Sequence, residues 1–381
     1  MQRSLTLTLA LALCAAALAP PAWADAPSYT IVDLGVVGNG TASQATNVSP
    51  NGAIVVGRSL GSQALAYTWT AQGGMVALPN LAGRNFAIAN DVNDTGLAVG
   101  TSATTAFGSS PLPVAWNNGV LSALTLPAGY TVGQANSVNA AGVIAGAAGS
   151  GIGQRAVLYA GGVGSVITAT TANGSFMTVA FGINDAGLVV GSGIDPNNAA
   201  VNVGMVYDSV SGVMSTVGAL PGANGALNFG VSNSGYVVGS SMLNQGAGSS
   251  FIWSATGGVQ AIALPPATSQ GGARGVNDQG WVVGTAGGQF AVPYLYADGT
   301  TYALQSLLPA GTGWDLSTNT SSSALAITND GTIVGTAVHD GLTHAYRMVL
   351  VTSVPEPGTW ALMLAGLAFG VGNARRRRVP A

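Results

Sequence analysis

Short apolar runs broken by polar turns dominate the chain, and one such unit is written repeatedly. It is clearest at Asp91 to Gly100, DVNDTGLAVG: a half-apolar run, a polar turn closing on glycine, and an apolar stretch before a second glycine. The same arrangement ends at Gly57, Gly146, Gly191, Gly239, Gly284 and Gly335, so with Gly100 there are seven copies. Their first glycines, Gly52, Gly96, Gly142, Gly187, Gly235, Gly280 and Gly331, follow one another at intervals of 44 to 51 residues. Periods of that size build propellers and related arrays.

Each copy predicts two strands joined by a tight turn. Phe86 to Val92 reads as the first strand, and Asn93-Asp94-Thr95-Gly96 combines a side chain able to bond the turn backbone with a glycine tolerant of positive φ. Leu97 to Val99 then leaves as the second strand. Pairs such as Val55-Val56, Val237-Val238 and Ile333-Val334 before the closing glycine suit a strand buried on both faces. One aromatic follows per repeat, at Trp69, Trp116, Tyr159, Tyr207, Trp253, Tyr296 and Tyr346, and marks a third strand. Glycine turns such as Asn117-Asn118-Gly119 lead to a fourth short apolar run. Four strands per period, with a bulky residue on the third, is the unit of a propeller blade.

The ends of the array select between a ring and an open stack. The last repeat runs from Arg347 straight to Val354 and lacks its fourth strand, whereas Tyr29 to Leu34, YTIVDL, is a spare strand ahead of the first repeat. Filling the vacancy with the spare removes the unpaired edges that an open array must cap. The expected fold is therefore all-β: a seven-bladed β-propeller of seven repeats of about 46 residues, closed by an N-terminal strand. An open β-solenoid is the alternative.

Both termini read as addresses. Residues 1–24 have a signal-peptide pattern, with Arg3, an apolar stretch from Leu5 to Leu18, and Ala22-Trp23-Ala24 before a cleavage point between Ala24 and Asp25. Cleavage there removes Cys14, the only cysteine, and with it all thiol chemistry. Residues 25–352 form the expected repeat domain. In the tail, 353–381, Pro355-Glu356-Pro357 precedes an apolar run from Thr359 to Val371 and the basic cluster Arg375, Arg376, Arg377 and Arg378. That run is shorter than the roughly 20 residues a stable span needs, while the arginines would hold its far end in the cytoplasm. The tail reads as a transient inner-membrane anchor with the repeats outside.

Charge narrows the partners. Charged residues are 6% of the 381, and lysine is absent. Between Asp25 and Ser353 five arginines face twelve aspartates, a net charge of −7. Such a surface has little with which to neutralise phosphates, so no nucleic-acid partner is expected and an anionic membrane surface is disfavoured for the repeat domain.

The tail resembles the PEP-CTERM sorting signal of bacterial exported proteins: Pro355-Glu356-Pro357, an apolar helix, then the arginine cluster. That resemblance covers about the last 28 residues and implies recognition and cleavage by a membrane exosortase in a Gram-negative species that makes extracellular polysaccharide. The body resembles the HAF-repeat extracellular proteins, through His344-Ala345-Tyr346, looser copies at Leu65-Ala66-Tyr67 and Val114-Ala115-Trp116, and the phrases Asp33-Leu34-Gly35 and Ile183-Asn184-Asp185-Ala186-Gly187. This second match spans nearly the whole repeat domain. It implies secretion and repeat architecture and defines no catalytic residue.

Candidate chemistry is sparse. His339 and His344, the only histidines, are five apart, an offset that puts two residues of one strand on opposite faces and argues against a metal. Asp94, Asp185, Asp278 and Asp330 sit beside the turn glycines and read as turn stabilisers rather than calcium ligands. Gly57-Arg58-Ser59-Leu60-Gly61 has the letters of a nucleophile elbow but lacks the helix that motif requires. Asp195, Asp208, Asp298 and Asp315 are the unpatterned acids available to a glycosidase pair, and Trp281 and Trp314 the aromatics available to sugars. The expectation is an exported structural, adhesion or interaction scaffold at the cell surface or in the exopolysaccharide matrix, without catalytic residue, metal or cofactor. Signal peptidase and exosortase are its processing partners. The alternatives are a carbohydrate-binding propeller and a polysaccharide hydrolase or lyase.

Overall fold

The computed structural model describes residues 26–105, 109–151, 153–242 and 248–351. Ala24, Asp25, Pro355, Glu356, Pro357 and Arg375 to Arg378 lie outside the described residues. Apart from one 3-10 turn, all regular structure among the described residues is strand. A lone β1 (Tyr29–Asp33) is followed by meander after meander. The first holds β2 (Ala42–Val48), β3 (Ile54–Leu60), β4 (Ala64–Thr70) and β5 (Gly74–Ala77). The second holds β6 (Phe86–Val92), β7 (Leu97–Ala103), β8 (Leu112–Asn117) and β9 (Val120–Ala123). Then come β10 (Val132–Val138), β11 (Ile144–Ser150), β12 (Gly153–Ala160) and β13 (Val163–Val166). They are followed by β14 (Phe176–Ile183), β15 (Leu188–Asp195), β16 (Asn198–Asp208) and β17 (Val213–Val217). Next are β18 (Gly225–Val231), β19 (Val237–Met242), β20 (Gly248–Ser254) and β21 (Gly258–Ala261), then β22 (Gln270–Val276), β23 (Val282–Gly287), β24 (Ala291–Ala297) and β25 (Thr300–Ala303). A 3-10 turn (Leu304–Leu307) and the short β26 (Trp314–Asp315) precede β27 (Ser323–Ile327), β28 (Ile333–His339) and β29 (Leu342–Leu350).

Hydrogen bonding gathers these strands into six sheets. The eight-stranded one consists of the first two meanders, joined by the single parallel pair Ala64 with Phe86. Its neighbours are separate four-stranded sheets, and the last sheet is completed by β1. That strand, the segment expected to fill the vacancy, lies antiparallel to β29 from Tyr29 opposite Leu350 to Asp33 opposite Tyr346. The core is divided in the same way, into clusters each shared by two neighbouring meanders. Ala145 and Ala156 pack with Met177 and Met205 in one of them. Another joins the two ends of the array, with Leu34, Ala45 and Tyr67 against Ala326, Val334 and Ala345. The packing therefore returns to its start, in an all-β, propeller-like architecture.

Both glycines of the recurring phrase have a steric cause. The first has φ between 73° and 83° in all seven copies, a conformation that side chains disfavour. The second has ordinary φ but no room. A Cβ on Gly57, Gly100, Gly146, Gly191, Gly239, Gly284 or Gly335 would lie 1.9 to 2.3 Å from a carbonyl oxygen of the inner strand. Beside that contact each inner strand carries a β-bulge, at Thr46, Asn90, Asn136, Phe181, Phe229, Arg274 and Leu325. An extra residue there bends the strand and re-aims a side chain.

One strand alignment needs correction. Trp69, Trp116, Tyr159, Tyr207, Trp253 and Tyr296 occupy one register, opposite the residue two before the closing glycine of the second strand. Tyr346 instead faces the closing glycine Gly335, as Tyr67 faces Gly57 and Tyr294 faces Gly284. Met348 takes the position that the aromatic holds elsewhere.

Candidate functional site

The inner strands β2, β6, β10, β14, β18, β22 and β27 converge on a central cavity of about 250 Å³, lined at one mouth by the turns of the recurring phrase. Each turn begins with Ser49, Asn93, Asn139, Asn184, Ser232, Asn277 or Thr328, whose side-chain oxygen accepts the amide hydrogen that starts the next strand. Val143 N–H to Asn139 Oδ1 (2.9 Å) and Thr332 N–H to Thr328 Oγ1 (3.0 Å) are examples. Asparagine does a second job that serine and threonine are too short for. Asn93 Nδ2 donates to the carbonyl of Asn139 (3.1 Å), Asn139 to that of Asn184 (3.3 Å), Asn184 to that of Ser232 (2.9 Å) and Asn277 to that of Thr328 (3.1 Å). One side chain thus closes its own turn and fastens it to the next sheet.

The rim aspartates act between meanders as well, which corrects their reading as stabilisers of their own turns. Asp94 Oδ1 accepts the Asn51 amide (3.0 Å), Asp185 Oδ1 that of Ala140 (2.8 Å) and Asp278 Oδ1 that of Ser234 (2.8 Å). Asn233 and Asn329 complete two-bond links with Asp185 and Asp278. Asp330 alone stays within its turn, accepting from Thr328 and from the Thr332 amide.

Below the rim the bulge side chains divide the channel. Thr46, Asn90 and Asn136 donate to the carbonyls of Ala89, Ala135 and Ala180 at 2.5 to 2.8 Å. Phe181 and Phe229 instead meet with centroids 5.5 Å apart, and the Arg274 guanidinium lies 3.9 Å over the Phe229 ring. Phe229 and Arg274 also line a recess of about 430 Å³ beside β18 and β22. The polar side holds a buried acid that sequence reading passed over, Asp91. Its carboxylate accepts from Asn47 Nδ2 (2.7 Å), the Val92 amide (2.8 Å), Ser137 Oγ (2.8 Å) and the Val138 amide (2.8 Å). Removal from water outweighs these four bonds and pushes its pKa from 3.8 up to about 6.

A second constellation lies where β1 closes the last sheet. His339 Nδ1 is 3.0 Å and His344 Nδ1 2.8 Å from the same oxygen, Asp33 Oδ2. The expectation that the two histidines face apart is overturned, because they do not share a strand. The β28–β29 hairpin turns between them at Asp340-Gly341, both with positive φ (49° and 84°), and leaves them diagonal neighbours on one face. Partial burial works to raise the Asp33 pKa, but hydrogen bonds from His344, the Gly35 amide and His339 hold it below the usual carboxylate value. Trp314 is 7% exposed and stacks on His339 at 4.4 Å, so it is an internal contact rather than a sugar platform. The spacing of repeats carries a trace of this insertion: Gly280 to Gly331, the longest interval, contains Trp314.

The acids proposed for a glycosidase pair are dispersed. Asp208 caps the β16–β17 turn through Val210 and Ser211, and Asp315 accepts from the Ser317 and Thr318 amides. Asp195 accepts from Asn197, while Asp298 takes the Trp281 indole N–H at 3.2 Å.

Residues 353–378 match the PEP-CTERM protein-sorting motif. The chain carries an exosortase sorting signal. It is thereby an exported protein processed by exosortase, with its C-terminus directed to a membrane anchor. Among the described residues no helix is long and apolar enough to cross a membrane. A search of the curated proteins gives no sequence match. Solved structures match over most of the chain. Oligogalacturonate lyase from Vibrio parahaemolyticus is 12% identical at a TM-score of 0.50, covering 86% of this chain and 98% of its own. Virginiamycin B lyase from Staphylococcus aureus is 11% identical at 0.48, covering 85% and 99%. YCF48 bound to D1 peptide is 10% identical at 0.48, covering 86% and 98%. At such identities the likeness is one of fold.

Proposed function

We propose that this protein is a seven-bladed propeller of the HAF-repeat kind, exported through an N-terminal signal at 1–24 and sorted by exosortase to the cell surface, where residues 25–352 act as a binding scaffold in the exopolysaccharide layer. Reading the eight-stranded sheet as two blades gives the count of seven, which agrees with seven copies of the turn phrase. The observation that carries the proposal is the sorting motif, which begins at residue 353, directly after the last strand ends at Leu350. A tail placed there delivers a finished propeller. The dispersed acids support a non-catalytic role, because Asp195, Asp208 and Asp315 each accept hydrogen bonds in their own turns.

The test is fractionation of an exosortase-positive host and its exosortase-null derivative expressing the full chain. The protein is expected at the surface or in the medium of the first and in the inner membrane of the second. Equal distribution between the two would overturn the sorting role. Retention of the released protein on immobilised host polysaccharide, without change in polymer length, separates a scaffold from a hydrolase or lyase.

A further inference from the structure

The three residues at the seam come from opposite ends of the domain, and only closure brings them together. Asp33 ends β1, while His339 and His344 flank the tip of the β28–β29 hairpin, 306 and 311 residues later. The register accounts for the convergence. Ala337 lies opposite His344 and His339 opposite Leu342, so the histidines share a face. Asp33 lies opposite Tyr346, two residues from His344, and so joins that face. One ligand atom from each of the three lies within 4.8 Å of the others. Their side chains are 14% to 29% exposed, so solvent reaches all three.

We propose that Asp33, His339 and His344 form a binding site for one divalent transition-metal ion of the zinc, cobalt or nickel class. Two imidazole nitrogens and one carboxylate oxygen are the donor set such ions take, whereas calcium and magnesium favour oxygen alone. A site with three protein ligands leaves its remaining positions to water. The surroundings orient the ligands as metal sites require. The Gly35 amide donates to the other Asp33 oxygen at 2.8 Å, and the Trp314 ring, 10° from parallel, fixes the plane of His339. Without an ion, Asp33 Oδ2 accepts from Nδ1–H of the rings. With one, each neutral ring carries its proton on Nε2 and turns the Nδ1 lone pair to the metal. For His339 that turns Nε2–H toward Asp340, whose Oδ2 lies 3.7 Å from Nε2, longer than a hydrogen bond.

The bound ion ties β1 to the final hairpin, so it binds the closed domain and not the unfolded chain. Its effect is to stabilise closure in proportion to the logarithm of its concentration over Kd.

The test uses the full chain, produced without a polyhistidine tag and stripped with EDTA. These are the only two histidines in the sequence, so their imidazole NMR signals report on the site without ambiguity. Zinc is expected to shift both signals with a stoichiometry of one. Cobalt is expected to give visible d–d absorption, and zinc at a hundredfold excess over Kd should raise Tm by about 5 °C. His339→Ala and His344→Ala should each weaken binding at least tenfold. Folded protein whose histidine signals ignore millimolar zinc would overturn the proposal. So would cobalt or zinc binding that persists in the double His339→Ala, His344→Ala variant, which places the ion elsewhere. Should that variant fail to fold, the wild-type NMR titration still decides.

Discussion

On one side of the central channel the bulge positions hold Thr46, Asn90 and Asn136, each donating to the next meander's backbone, beside the buried Asp91. On the other side the same backbone positions hold Phe181, Phe229 and Arg274, which contact one another instead. The backbone is the same on both sides: a bulge, a positive-φ turn glycine, and a closing glycine under a carbonyl. What repeats is therefore the main-chain geometry, and the side chain delivered by the bulge is free to vary. One half of the channel is fastened by hydrogen bonds and the other by rings and a cation.

That contrast can be broken first at the shared element. Gly100→Ala on the polar side and Gly191→Ala on the aromatic side each place a Cβ about 2 Å from a carbonyl oxygen, and each should cost about 3 kcal/mol or more. Denaturant unfolding of the two variants should give similar losses. A large loss on one side alone would mean that the halves do not share a scaffold.

Next in size is the pH response of Asp91. Its folded pKa of about 6 exceeds the ordinary 3.8, so the folded state holds a proton that the unfolded chain has released. Its contribution to stability accordingly falls as pH rises from about 4 to 6, by roughly 3 kcal/mol, and is level above that. Urea midpoints for wild type and Asp91→Asn should converge or cross along this interval, since the variant lacks the titration. A constant gap between them would refute the assignment. The bulge residues of the aromatic side include no carboxylic acid and should show no such response.

Smallest are the deletions that compare the two fillings directly. Phe229→Ala removes a ring from both Phe181 and Arg274 and should cost about 2 kcal/mol. Asn136→Ala forfeits one hydrogen bond to Ala180 and should cost about 1 kcal/mol. Thermal unfolding of the two, in low and high salt, tests the ranking.

Much of the architecture could be read in the sequence because its causes are local. A turn needing positive φ demands glycine, and seven such glycines at a regular interval announce seven turns. The spare strand at Tyr29 was visible for a similar reason, as a strand pattern with no partner nearby. The bulges were not visible. Threonine, asparagine, phenylalanine, arginine and leucine occupy them, and no residue type marks a position defined by backbone register. The seam cluster was hidden twice, by its separation along the chain and by the tight Asp340-Gly341 turn, which reverses the face expected from the spacing of the histidines. The second role of the turn asparagines depends on the neighbouring sheet and had no local signature.

Strand β29 is bonded along both sides, to β28 and to β1, and its last residues stay engaged, with the Val351 amide donating to the Ser28 carbonyl at 2.8 Å. A pull on the chain beyond Val351 runs along that strand's axis, so two ladders must slide together before it yields, whereas an edge strand pulled sideways would unzip one bond at a time. The N-terminal strand thus places the domain's point of attachment in a shear geometry.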